Sequence, residues 1–326
     1  MSQEAAKIEL DFIAVDDASP DRSGTILAAR RDPRLRVIHT ATKAGPGRAR
    51  ELGAKEAKGE YLWFVDGDDE LADGALAAVA AELDRLHPDV LVVDYENIFA
   101  GGKVTPSGAD LNTPELTTLA DSPVLLNVTA SMWNKVFRRD FLSGLGMPYG
   151  PGIYEEVPVA LAALLTAPRI GVLNRVCYRY RRSRNGSFMA AINDSHFDMF
   201  KSYETIYAFL SEPSVGSPPS ASSVPGAESA HAELAHPITA AVREALFART
   251  IRHYVFALPK VPRSSRRDFF GKMTRDFHRW LPEDFTVPPG ARGVELRLVG
   301  RGAYRTYAAL RPLNRVRLEL RDRLRK

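Results

Sequence analysis

The chain has 326 residues, 45% of them hydrophobic and 26% charged, with a net charge of +4, so it has material for a sizeable core and more than one domain. One cysteine, Cys177, excludes an internal disulfide framework and a cysteine-rich zinc site, and fits a reducing cytoplasm. No apolar run reaches the roughly 18 residues of a membrane span, and Met1–Lys7 lacks the basic and apolar regions of a signal peptide. The expected location is therefore cytoplasmic.

Residues 8–15 alternate and then turn apolar, which predicts a strand entering a sheet core. Asp16-Asp17-Ala18-Ser19-Pro20-Asp21 follows as a loop, with Ser19 or Asp21 able to cap a helix that Asp32-Pro33 breaks. Residues 34–39 alternate as a short strand near a sheet edge. Gly45-Pro46-Gly47-Arg48-Ala49-Arg50 is a glycine-rich loop running into a helix that Gly59 ends. The aromatic run 61–65 is a compact strand that stops at Asp66-Gly67-Asp68-Asp69. An alanine-rich amphipathic helix is predicted over 71–86 and a buried strand over 90–95. This alternation predicts an α/β fold with a mostly parallel sheet flanked by helices. Residues 211–236, rich in Pro, Ser, Ala and Gly, read as a disordered insertion, and 237–285 return to helical patterning. In 291–326 eleven Arg and Lys face three Glu and Asp. Such a tail suits anionic lipid, a phosphate-rich polymer or nucleic acid, or it is a solvated helical face.

Ligands of open α/β sheets gather beyond the C-terminal ends of strands, where both Asp16-Asp17 and Asp66–Asp69 fall. Crowded carboxylates repel unless a cation or donors neutralise them, and Mg2+ or Mn2+ bound by one or two carboxylates can also hold a diphosphate. The alternative is a solvated turn. Asp17 could accept from a ribose hydroxyl or a base N–H, or simply serve turn chemistry. Arg48 and Arg50 could approach phosphate, or lie on a helix surface.

Val15–Asp21, Gly45–Gly53 and Gly59–Asp69, in this order and spacing, resemble glycosyltransferase family 2 over about residues 8–95, with weaker matches to about 190. The resemblance implies a GT-A fold for residues 1–190, a nucleotide-sugar donor and a divalent metal, Mn2+ or Mg2+. It places Asp16, Asp17 and Arg50 on the donor, and Asp66 and Asp68 at the metal and diphosphate. Glu51 stands where the family usually has asparagine. Trp133-Asn134-Lys135 resembles a segment of the acceptor half, against the alternative of ordinary packing. Tyr154-Glu155-Glu156 resembles the family's acidic pair, with Glu156 the general base and Glu155 its competitor; a helix-start acidic pair is the bland alternative. Tyr178–Arg181 and Asn185-Gly186-Ser187 resemble the loop that closes over the donor, with Arg181 and Arg184 on the diphosphate, unless they form a basic surface strand.

Trp133-Asn134-Lys135 and Gly300–Tyr307 also resemble actinobacterial proteins in which such a domain accompanies a teichoic-acid-type glycerophosphotransferase. The function this implies is inverting transfer of a sugar to a cell-envelope polymer or glycolipid. The expected partners are a nucleotide sugar, a polymer or lipid-linked acceptor and, through the basic C-terminus, a peripheral contact with the inner membrane face, but no nucleic acid. Residues 191–210 are expected to form a helical connection, and 237–326 a basic helical region. The family begins with a strand and helix ahead of the position of Ile8. Its apparent absence implies an upstream start for the native product and a sheet lacking a central member. It also keeps a non-catalytic sugar- or polymer-binding remnant as the competing reading.

Overall fold

A computed structural model describes residues 8–109, 111–150, 152–182, 191–211 and 238–311. The chain divides into two compact units, 1–189 with 201–238, and 190–200 with 239–326.

The first unit opens with β1 (Phe12–Asp16), α1 (Ser23–Ala28) and β2 (Leu35–His39). β1 and β2 pair in parallel, from Phe12 opposite Leu35 to Asp16 opposite His39. The N-cap position of α1 is Arg22 rather than Ser19 or Asp21, with no side-chain cap, and Asp21 accepts from the Ser23 N–H at 2.9 Å in the turn before the helix. Gly45 then turns the chain with φ at +91°, a conformation that favours glycine, and Pro46 opens α2 (Pro46–Glu56). α2 approaches β1 closely: a Cβ on Gly53 would lie 3.5 Å from Val15.

β3 (Tyr61–Trp63), β4 (Glu70–Leu71), α3 (Ala75–Leu86), β5 (Val90–Ile98), β6 (Val104–Pro106) and β7 (Leu116–Thr117) follow. Then come β8 (Lys135–Arg138), α4 (Arg139–Gly144), α5 (Val157–Thr166), β9 (Ile170–Arg181) and α6 (Asp198–Ser211). The main sheet runs β3-β8-β5-β9-β4, with β6 added to β5 and β7 to β9. β5 and β9 are parallel, and β8 runs opposite to both β3 and β5, so the three strands β3, β5 and β9 share one direction. The short strands β4, β6 and β7 add antiparallel pairings at its margins. The result is the mixed α/β sheet that the resemblance implies. Among the described residues, β1 and β2 form a separate two-stranded sheet.

Val90 to Val93 are at most 1% exposed, and one face of β5 packs under Ala75, Val79 and Leu83 of α3, with Val136 and Cys177 beside them. This is the amphipathic stripe read from residues 71–86. The helix starts later than predicted because Glu70 and Leu71 pair with β9 and Gly74 takes a left-handed turn at φ +70°. α5 is apolar all round and every one of its residues is buried, as such a pattern requires.

The second unit is helical: α7 (Ala240–Ala257), α8 (Arg266–Trp280) and α9 (Gly290–Gly300). Thr239 caps α7 by accepting from Val242 N–H at 3.3 Å. Its core is aromatic, with Phe200 4.5 Å from Tyr254 and 4.7 Å from Phe269 between ring centres. The buried Asp276 accepts from the Tyr254 hydroxyl at 2.8 Å. No described helix is long and apolar enough to cross a membrane. The insertion predicted over 211–236 lies, from 212 on, outside the described residues, as do Arg184, Asn185-Gly186-Ser187 and the tail from 312.

Candidate active site

β3 delivers the chain to Asp66, and the backbone then folds into a turn closed by the Asp69 N–H donating to the Asp66 carbonyl at 3.0 Å. Asp66 is part-buried and Asp68 is exposed. Asp69 is turned inward: its carboxylate accepts from the Tyr178 hydroxyl at 2.8 Å and from the Arg181 N–H at 2.8 Å. Burial pushes the Asp69 carboxyl up to about 6, against those two donors.

Opposite this turn stands Arg50 of α2. Its guanidinium donates to Asp66 Oδ1 at 2.8 Å and to Glu155 Oε1 at 2.7 Å, and lies 3.3 Å from Glu156 Oε2. Three carboxylates from two distant stretches of chain thus converge on one side chain that is only 12% exposed. Burial works against the guanidinium's charge, but Glu156, Asp66 and Glu155 outweigh it and raise its affinity for the proton. Arg50, expected on a donor phosphate, is therefore held by carboxylates.

Glu155 and Glu156 sit just ahead of α5, with Glu156 at its N-cap position. Glu156 Oε2 also accepts from the Met132 N–H at 3.2 Å. Burial pushes Glu156 up to about 7, opposed by Arg50 and reinforced by Asp66 and Glu155. Burial likewise raises Glu155, again opposed by Arg50. The pair thus stands at a helix start, as the bland alternative has it, and both carboxylates also lie against Arg50.

Asp17 accepts from Thr40 Oγ1 at 3.0 Å, Ala44 N–H at 2.9 Å and Gly45 N–H at 2.7 Å. It anchors the loop that leads into α2; burial would raise its carboxyl, but these donors hold it below the usual range. Asp16 accepts from Ser19 N–H at 3.2 Å and pairs with His39 Nδ1 at 3.0 Å. Asp16 is the last residue of β1 and Asp17 the first beyond it, and both carboxylates have protein partners. Arg48 pairs with Glu51 on the helix surface.

Trp133, Asn134 and Lys135, expected towards the acceptor, are 3%, 1% and 0% exposed. Lys135 Nζ donates to the Thr129 and Ser131 carbonyls and to Asn134 Oδ1 at 2.8–2.9 Å. Trp133 stacks on Tyr178 and Tyr180, with ring centres 4.6 and 5.1 Å away. The segment is packed inside the fold, as the ordinary-packing alternative has it, with Lys135 buried as well. Tyr178–Arg181 is the end of β9 rather than a closing loop, and the Arg181 side chain pairs with Glu70. The sequence reading missed two partners of these carboxylates, the exposed His39 and the buried Tyr178. His39 becomes legible only from the β1–β2 register, and Tyr178 from the pairing that brings β9 to β4.

No described group of three or more His, Cys, Asp or Glu could hold a metal ion alone. The donor set nonetheless fits a hard divalent cation that arrives with a diphosphate, since Mg2+ and Mn2+ need only one or two carboxylates when phosphate oxygens and water complete the shell. Asp66 and Asp68 would hold it.

The glycosyl transferase family 2 model matches residues 3–146. Poly(ribitol-phosphate) beta-N-acetylglucosaminyltransferase TarS of Staphylococcus aureus strain MW2 is 29% identical over 203 residues, covering 61% of this chain and 35% of TarS. The uncharacterized glycosyltransferase EpsJ of Bacillus subtilis is 30% identical over 186 residues, 54% of each chain. The chain therefore spans between a third and just over half the length of these two relatives. The crystal structure of S. aureus TarS 1–349 in complex with UDP-GlcNAc superimposes with a TM-score of 0.61 at 25% identity, covering 84% of this chain and 73% of that one. Residues 3–146, which include the acidic turn after β3, are thus similar to glycosyl transferase family 2.

Proposed function

We propose that the protein is an inverting glycosyltransferase that moves a sugar from a nucleotide-sugar donor to a hydroxyl of a cell-envelope polymer or lipid-linked acceptor. The observation that carries this reading is the convergence of Asp66, Glu155 and Glu156 on Arg50, beside the exposed Asp68. One end of the constellation offers oxygen ligands. The other offers a carboxylate poised near 7, where a general base works best.

In this mechanism Glu156 takes the proton from the acceptor hydroxyl as that oxygen attacks the anomeric carbon. The bond from that carbon to the diphosphate breaks on the opposite face, so configuration inverts and a nucleoside diphosphate leaves. A divalent metal at Asp66 and Asp68 would neutralise the charge that builds on the leaving group. Arg50 offsets the repulsion among three acidic groups held at close quarters. Met132 N–H fixes the orientation of Glu156. Asp17 shapes the loop ahead of α2 on the side assigned to the nucleoside.

The relatives suggest where to begin. TarS is named for N-acetylglucosamine transfer to poly(ribitol-phosphate), so UDP-GlcNAc and a polyol-phosphate acceptor are the first substrates to test. The excess of Arg and Lys in 291–326 suits a phosphate-rich acceptor or an anionic membrane face. Asp68→Ala should abolish nucleoside diphosphate release with folding intact. Glu156→Gln should spare donor binding and remove transfer; retained transfer would refute the assignment of the base. The separation of β1–β2 from the main sheet favours a second reading, a sugar- or polymer-binding remnant. That reading stands if the protein binds donor and never turns it over.

A further inference from the structure

The turn from Asp66 to Asp69 is pinned from below by a single hydroxyl. Tyr178 Oη accepts from the Asp66 N–H at 3.0 Å and donates to Asp69 Oδ2 at 2.8 Å. One atom therefore ties both ends of the acidic turn, using its one donor and one of its two acceptor sites. The ring that carries it is 0% exposed and stacks on Trp133 at an interplanar angle of 18°. Trp133 is in turn met edge-on by Tyr95 at 4.7 Å, and its carbonyl accepts from Trp63 Nε1–H at 2.8 Å. Tyr178 thus has no room to move without disturbing β3, β5 and β9 together. The second Asp69 oxygen is taken by the Arg181 N–H, so this carboxylate faces the protein while Asp68 faces outward.

We infer that Tyr178, acting through Asp69 and the Asp66 N–H, is a positioning residue that presets the Asp66–Asp69 turn for a divalent cation, and that Asp69 is not itself a ligand. This rests on the reading of Asp66 and Asp68 as the metal–diphosphate site. Groups that orient metal ligands from behind change metal affinity about 10–100-fold when removed.

The test uses the full chain and measures Mn2+ binding directly, by electron paramagnetic resonance of the free ion in the presence of UDP, alongside thermal unfolding without metal. Tyr178→Phe keeps the stacked ring and deletes only the hydroxyl. Its Mn2+ dissociation constant should rise about tenfold or more, with kcat at saturating Mn2+ little changed. A role confined to packing would lower the melting temperature and leave Mn2+ affinity unaltered, which would overturn the inference. Asp69→Asn can still accept from Arg181 N–H and donate to the Tyr178 hydroxyl, so it should keep Mn2+ binding; loss of binding would make Asp69 a ligand and also overturn it. Asp68→Ala separates the two levels of the argument. If that variant binds Mn2+ as the native chain does, the metal site itself is misassigned.

Discussion

At the scale of single residues, the account turns on Arg50 and the carboxylates around it. A buried ion pair is strongly destabilising to break because the remaining charges lose their compensation. Arg50→Ala should therefore cost about 3 kcal/mol in chemical denaturation, far more than removal of the exposed Arg48 from its pair with Glu51. Glu156 gives a pH prediction whose sign follows from its role. As a base it must be deprotonated, and burial pushes it up to about 7, so transfer should rise with pH through about 7 and flatten above. Glu156→Gln should remove that limb together with the activity. The acidic turn was legible in the sequence because an aromatic strand ending in carboxylates has few structural uses. The link between Arg50 and Glu155 was not, because 105 residues separate them and only the tertiary fold closes that distance. Lys135 misled for a related reason: a lysine reads as exposed unless its ammonium finds acceptors, and here three carbonyl-type oxygens surround it.

At the scale of elements, the site depends on how closely α2 approaches the segment before α5. Gly47 makes that approach possible, since a Cβ there would lie 2.9 Å from Glu155 Cγ and 2.9 Å from Tyr149 Cβ. Gly47→Ala should displace Glu155, lower stability by about 1–3 kcal/mol and reduce turnover more than donor affinity. Unfolding curves and steady-state kinetics on one preparation would separate the two effects. The single cysteine reports on the other side of the sheet. Cys177 is buried within β9, which raises its thiol to about 11, so it should stay unreactive to thiol reagents until the protein unfolds. Periodicity located α3 and β5 because α3 buries one face and β5 nearly a whole strand, whereas α2 was marked by the glycine-rich loop before it and Gly59 after it. It missed the full span of β9, whose buried start Ile170–Val172 gives way to exposed polar positions before Cys177 and Tyr178 turn inward again. Its pairing with β5 also shifts register between Val93 and Tyr95, an irregularity that no alternation of residues announces.

At the scale of the whole molecule, charge is unevenly shared. Among the described residues of the second unit, Lys and Arg outnumber Asp and Glu fifteen to eight. Binding of a polyol-phosphate acceptor should therefore weaken as salt rises, whereas binding of the metal-bound donor should respond much less. The most direct test of the central claim is nucleoside diphosphate release from UDP-GlcNAc and other nucleotide sugars, with Mn2+ and a polyol-phosphate acceptor, comparing the native chain with Asp68→Ala. The account expects release that needs the cation and disappears in the variant. Equal release from both chains, or no turnover of any nucleotide sugar by the native one, would contradict it.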